Sequence, residues 1–260
     1  ELKKMAGSKP IMMEFYTDSW GWCVRLEADT FLDEGFLNLT ERFYSIKINA
    51  GERNGSKIAE KYNVHGYPTV IFINQNGDEI DRIIGYGTPE DFIPKVSNIL
   101  SGKNTIPYLE DNLNHDPNDN FSLFILGKKY LDRGNSELSK KYFNQFIYNS
   151  PEGMEANLEE AHFLLSKADW DNGEISGLEH FIINYPDSKD CLSAYQLISR
   201  YYITTHDTIS EINTLKKMVN VFPDNANAMN SYAWRMVELN TNLIDALEKA
   251  KKGVELADDD

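Results

Sequence analysis

The sequence predicts an α/β domain, a central mixed sheet flanked by helices, over residues 1–102, followed by an all-α helical repeat domain over residues 103–260. Three observations carry this reading. Up to Gly102, short β-rich runs alternate with helical ones, whereas from Thr105 onward helix-length segments follow one another with no convincing strand. Pro117, Pro151, Pro186 and Pro223 recur at spacings of 34, 35 and 37 residues, each just after an apolar-rich helical stretch. The chain has 260 residues, 41% of them apolar and 12% aromatic, which suffices for two ordinary domains and excludes a disordered tail, a collagenous fibre or a disulfide-stapled mini-protein.

Taken in order, Ile11 to Tyr16, Tyr44 to Asn49, Thr69 to Ile73 and Glu79 to Ile84 read as strands. Asn76-Gly77 between the last two signals a hairpin with a two-residue type I′ turn, which needs positive φ at both central positions. Helices are expected around Cys23 to Asp29, Gly35 to Arg42, Lys57 to Tyr62 and Thr88 to Leu100, the last with Thr88 as N-cap and Pro89 at its first position. Gly51 to Gly55 reads as a polar loop, and Ser101-Gly102-Lys103-Asn104 as a helix stop and short linker. Beyond it, a helical period of this length implies stacked hairpins, none of which can bury its apolar face alone.

Leu126-Gly127, Tyr130, Phe143, Phe146 and Pro151 resemble the tetratricopeptide pattern, in which a small residue lets two helices approach and aromatics fill the groove between them. The last hairpin resembles it too, through Tyr232-Ala233 and then Ala246, Ala250 and Gly253. The middle repeats are degenerate: Ala161, Phe181 and Pro186 fit one, and little beyond Pro223 fits the next. No capping helix follows Ala257, so either a longer natural chain or a homodimer through the last repeat is expected.

Charge narrows the partners. The 26 basic and 41 acidic side chains give a net −15, which argues against nucleic acid and anionic lipid. Residues 1–102 hold 11 basic and 15 acidic groups, leaving 15 and 26 in the helical half. That acidity would steer a basic partner towards the helical half, or it simply solvates the surface. The longest apolar runs, such as Val70 to Ile73, are far below the roughly 20 residues of a membrane span. His65, His115, His162, His180 and His206 are scattered without ligand spacing, and no phosphate-cradling glycine motif occurs. Asp258-Asp259-Asp260 reads as a solvated tail, and neither a metal nor a cofactor is expected.

The segment Lys9 to Cys23, a strand running into a helix N-terminus through Trp20-Gly21-Trp22-Cys23, resembles the thioredoxin-like superfamily. The Asp29-Thr30-Phe31 step, the Gly66-Tyr67-Pro68-Thr69 segment in the place of the superfamily's cis-proline, and Gly85-Tyr86-Gly87 in the place of its third groove loop extend that resemblance over about residues 8–100. In such proteins the first of two cysteines is a thiolate at a helix N-terminus, and the second resolves the mixed disulfide. Here Trp20 stands at the first cysteine position and Cys23 at the second. The other cysteine, Cys191, lies in the helical region, so no dithiol turnover is expected.

What the resemblance implies for the remaining residues has alternatives. Cys23 is an inert buried thiol or a monothiol that forms mixed disulfides. Glu14 takes the place of a buried acid able to accept the resolving thiol's proton, or it faces water at the strand end. Trp20, Trp22, Tyr67, Pro68 and Tyr86 would ring a peptide-binding groove, unless Trp20 packs into the vacated cysteine site and closes it. Two functions follow: a redox-inactive or attenuated protein- or peptide-binding module on a helical repeat scaffold, or a thiol-disulfide oxidoreductase or isomerase-like enzyme acting through Cys23. A chain that begins at Glu1 without Met or a leader is compatible with a removed leader, and the resemblance points to the bacterial periplasm or cell envelope.

Overall fold

A computed structural model describes residues 9–257; the Asp258-Asp259-Asp260 end lies outside them. Its strands are β1 (Ile11–Tyr16), β2 (Tyr44–Asn49), β3 (Thr69–Ile73) and β4 (Glu79–Ile84), with the predicted bounds. They form one mixed sheet in the order β2-β1-β3-β4, with β1 parallel to β2 and antiparallel to β3, and β3 antiparallel to β4. Six helices or helical turns accompany them: α1 (Gly21–Arg25), running on into a π-helical turn (Leu26–Phe31), α2 (Glu34–Leu39) with a 3-10 turn (Thr40–Arg42), α3 (Arg53–Lys61) and α4 (Pro89–Leu100). Thr88 is the backbone N-cap of α4, although its side chain caps no amide.

The period-two alternation of β1 divides the core in two. Ile11, Met13 and Phe15 pack with Ile48, Ile71 and Ile73 against Ala59 and Val64, on the α3 side. Met12 faces the other way with Val70, Phe72 and Ile83, covered by Leu26, Phe36, Phe92 and Val96. Glu14 shares the face of Met12, so the alternation itself carries a carboxyl group under α1.

Two local expectations are corrected. The β3–β4 turn is not the two-residue type: Gly77 takes φ 88° while Asn76 stays at negative φ, and Asn74 accepts from Gly77 N (3.0 Å) and pairs with Asp78 O (2.9 Å), closing a longer loop. The stretch 51–55 is not wholly loop, because α3 begins at Arg53 and Gly55 is buried on it. A Cβ on Gly55 would lie 1.9 Å from the carbonyl oxygen of Asn49, so glycine is required where α3 crosses the end of β2.

The remaining helices are α5 (Ile106–His115), α6 (Asn120–Asp132), α7 (Ser136–Asn149), α8 (Glu155–Trp170), α9 (Ser176–Asn184), α10 (Cys191–Thr204), α11 (Thr208–Val221), α12 (Ala226–Glu238) and α13 (Leu243–Ala257). Among the described residues no strand follows β4. Pro117, Pro151, Pro186 and Pro223 each fall two residues after a helix, at the ends of α5, α7, α9 and α11, as the period requires. The sequence breaks at the linker after Gly102, but the compact units divide between Leu138 and Ser139, within α7.

The first unit therefore includes α5 and α6, and Arg82 shows why. Its guanidinium donates to both carboxylate oxygens of Glu79 (2.8 and 2.6 Å) and to the carbonyls of Tyr62 (2.7 Å), Asn63 (3.2 Å) and Asp132 (3.0 Å). The last of these is at the C-terminus of α6. Lys129 of the same helix pairs with buried Asp81 at 2.5 Å, and Arg133 donates to the Ile80 carbonyl at 3.2 Å.

In the second unit α8 packs on α9, α10 on α11 and α12 on α13. Phe163, Leu178, Phe181 and Ile198 form one core, and Tyr195, Met218, Met229, Tyr232 and Met236 another. Gly177 and Gly253 permit close helix approaches: a Cβ on the first would stand 3.1 Å from that of Ser166, and on the second 3.3 Å from that of Met229. Replacing Gly55 with alanine is expected to lower the thermal midpoint of the first unit by roughly 10 °C, whereas Gly66→Ala, with nothing within 4 Å of the added Cβ, leaves it unchanged. Thermal scans of both variants followed by circular dichroism check this.

Candidate functional site

Trp20 is the N-cap of α1, in extended conformation (φ −99°, ψ 108°), and its indole is 51% exposed. The Cys23 amide donates to the Trp20 carbonyl at 3.0 Å, and its sulfur is buried at 1% exposure. Burial pushes the Cys23 thiol up, a backbone hydrogen bond from Thr17 draws it down, and the charge of Glu14 pushes it up again. Such a thiol stays protonated and is a poor nucleophile.

Glu14 is buried at 1% exposure and does not face water. Its Oε1 has no hydrogen-bond partner, and burial, followed by the charge of Glu27, raises it from the ordinary 4.5 to about 7, against an opposing pull from Lys47. Lys47 stands opposite Glu14 in the β1–β2 register, pairs with Glu27 at 2.6 Å and lies 4.5 Å from the centre of the Tyr16 ring. A buried carboxyl group that titrates near neutrality therefore sits on the sheet face beneath the Cys23 helix.

The aromatic residues separate into two groups. Trp22 is 47% exposed and contacts Tyr86 ring to ring at 5.5 Å, while the Arg25 guanidinium lies 5.2 Å from one ring and 4.9 Å from the other. Asp29 completes the cluster, receiving Arg25 at 3.3 Å and the Tyr86 hydroxyl at 3.0 Å. Below it the Thr30 hydroxyl donates to Gly87 O at 2.7 Å, fixing the Gly85–Gly87 loop to the helix. Tyr67 instead packs with the core on the α3 face of the sheet, so the structure brings Trp22 and Tyr86 into contact but does not add Tyr67 to their cluster. The Tyr67-Pro68 peptide is cis, Pro68 is buried, and its carbonyl accepts from Gly85 N at 2.8 Å.

No sequence motif singles out Arg25 and Asp29 as a pair. Their spacing from Trp22 and from each other is helical, i to i+3 and i to i+4, which is the signal that could have found them. Lys47 was not recoverable without the strand register. Among the described residues no group of His, Cys, Asp or Glu side chains could hold a metal ion, and no helix is long and apolar enough to cross a membrane.

A strand entering a helix N-terminus, a cis-proline loop beside it and a buried acid beneath define a thioredoxin-like domain, and residues 3–99 match the family of that description. Its relatives include the thiol:disulfide interchange protein DsbD of Campylobacter jejuni strain RM1221, 35% identical over 92 residues that make up 34% of this chain and 16% of that protein. The chloroplastic thioredoxin-like protein HCF164 of Oryza sativa subsp. japonica is 24% identical over 104 residues, 40% of this chain and 39% of that one. The match thus spans well under half the length of these relatives. Among solved structures, MamA aligns with 66% of this chain and 94% of its own at 19% identity and a TM-score of 0.48.

The raised Glu14 value has a defined consequence for stability. Between pH 4.5 and 7 the folded chain holds a proton that the unfolded chain has released, so the stability this group allows is full below about 4.5 and is lost as pH rises through 7. Glu14→Gln is expected to flatten that dependence and to gain roughly 3 kcal/mol over the parent at pH 8, read from denaturant unfolding across pH 5 to 8.

Proposed function

We propose that the thioredoxin-like domain is a protein- or peptide-binding module without dithiol turnover, coupled to a helical repeat scaffold. The exposed indole of Trp20 at the helix N-cap, where the mechanism needs a thiolate, carries this reading. The buried Cys23 thiol and the Trp22–Arg25–Tyr86 surface beside the cis-proline loop support it. In the second unit a cleft of about 690 Å³ runs across α8, α10 and α12, with Phe163, Leu197 and Trp234 offering apolar surface and Lys167, Arg200 and Arg235 offering charge. Concave surfaces of stacked helical hairpins suit an extended chain, and two modules in tandem raise apparent affinity through effective concentration.

One observation favours the second reading, an oxidoreductase acting through Cys23: a buried acid titrating near neutrality is what a resolving thiol would use to lose its proton. Assignment to the bacterial cell envelope rests on the resemblance of the first domain and belongs to the same proposal. Insulin reduction in the presence of dithiothreitol separates the two functions. The parent chain is expected to show no acceleration above background, and Trp20→Cys is expected to create it. Acceleration by the parent that disappears in Cys23→Ala would establish the enzyme instead.

On α13, Ile244 (82% exposed), Leu247 and Val254 leave an apolar stripe uncovered. A second copy covering that stripe is part of the proposal. Sedimentation velocity is expected to show a dimer that Ile244→Glu with Leu247→Glu converts to monomer; a monomeric parent would exclude it.

A further inference from the structure

Within the first unit a cleft of about 570 Å³ lies between β4, α4, the residues joining α4 to α5, and α6. It is distant in kind from the Trp22–Tyr86 surface and uses none of its residues. Its floor is apolar, from Ile83, Ile84, Ile99, Phe121 and Ile125, and two of these remain open to solvent, Ile84 at 46% and Phe121 at 49%.

Its charge runs against that of the whole chain. The sequence holds 26 basic against 41 acidic residues, yet the cleft is lined by Arg82, Lys95, Lys103, Lys128 and Lys129 against two carboxylates. Asp81, one of the two, is engaged by Lys129 at 2.5 Å, and Arg82 is consumed by Glu79 and main-chain carbonyls. Lys95 and Lys103 form no ion pair among the described residues, and Lys128 lies 5.2 Å from the Phe124 ring. Two ammonium groups outside any ion pair thus come from two elements, α4 and the α4–α5 linker, beside one apolar floor.

We propose that this cleft binds an extended acidic segment of another protein, with carboxylates on Lys95 and Lys103 and aliphatic side chains on Ile84 and Phe121. Cations on two separate elements match successive negative charges along a chain better than one compact anion. Exposed isoleucine and phenylalanine at the floor give the partner's apolar side chains a surface to cover. The local field selects acidic partners although the molecule as a whole is an anion, so attraction acts only at short range.

The test is fluorescence anisotropy of the full chain with a fluorescein-labelled peptide, acetyl-Asp-Leu-Glu-Ile-Asp-Leu-Glu-amide, at about 50 mM and 300 mM salt. Saturable binding that weakens with salt is expected, with a loss of tenfold or more in Lys95→Glu/Lys103→Glu and a comparable loss in Phe121→Ser. Both lysines are exposed, so the charge reversal leaves the fold intact, and Lys95→Ala/Lys103→Ala supplies a milder version with an intermediate loss. Trp22→Ala is expected to bind the probe as the parent does, which keeps this proposal separate from the groove reading above. Equal binding by the charge-reversed chain overturns it. So does equal binding of the uncharged counterpart acetyl-Asn-Leu-Gln-Ile-Asn-Leu-Gln-amide, loss only in Arg200→Glu, or binding of decanoate in the cleft with none of the peptide.

Discussion

The buried guanidinium of Arg82 holds together parts of the first unit that the chain supplies from distant places. An arginine has five N–H donors in a rigid fork, and here all five have acceptors: two oxygens of Glu79 and three main-chain carbonyls. Two of those carbonyls, of Tyr62 and Asn63, follow the end of α3, and the third ends α6, so the positive charge sits where helix C-termini concentrate negative partial charge. Glu79 neutralises what the carbonyls cannot. A lysine would have three donors and no planar fork, and a buried charge left partly unmatched is destabilising by several kcal/mol. Because one acceptor belongs to α6, the first helical hairpin is fixed to the sheet, and the packing boundary falls after Leu138 and not at the glycine linker.

How much of this was legible depends on whether the cause is local. All four strands are short apolar runs bounded by turn residues, and their bounds follow directly from the pattern. The helical period also reads directly, since each of the four prolines stops a helix for a reason internal to the backbone. Where the cause is tertiary the sequence is silent or misleading. Gly55 looks like loop glycine because its real reason, the Asn49 carbonyl against its Cα, appears only after folding. Asn76-Gly77 carries the signature of a two-residue turn, but the Asn74 side chain accepts from the Asp78 amide at 2.9 Å and selects a longer one.

The site divides in the same way. The alternation along β1 places Glu14 on a buried face, and helical spacing places Cys23 above it. By sequence motif Tyr67 belongs with the tryptophans, yet it packs against the opposite core. Trp22 and Tyr86 do meet, and what joins them is Arg25, a surface cation that composition would assign to solvent. The balance of charge shows the same limit: a net of −15 describes long-range behaviour, while among the charged residues lining a cleft in each unit the cations outnumber the carboxylates.

Cys23 is at 1% exposure and Cys191 at 0%, and burial pushes both thiols up. The chain has no others. With both sulfurs protonated and shielded, the folded protein is a nearly silent background for thiol chemistry. A cysteine introduced on any exposed helix would react with maleimide or a spin label far faster than either native one. Distances between the two units thereby become accessible to spectroscopic rulers without first removing a native residue.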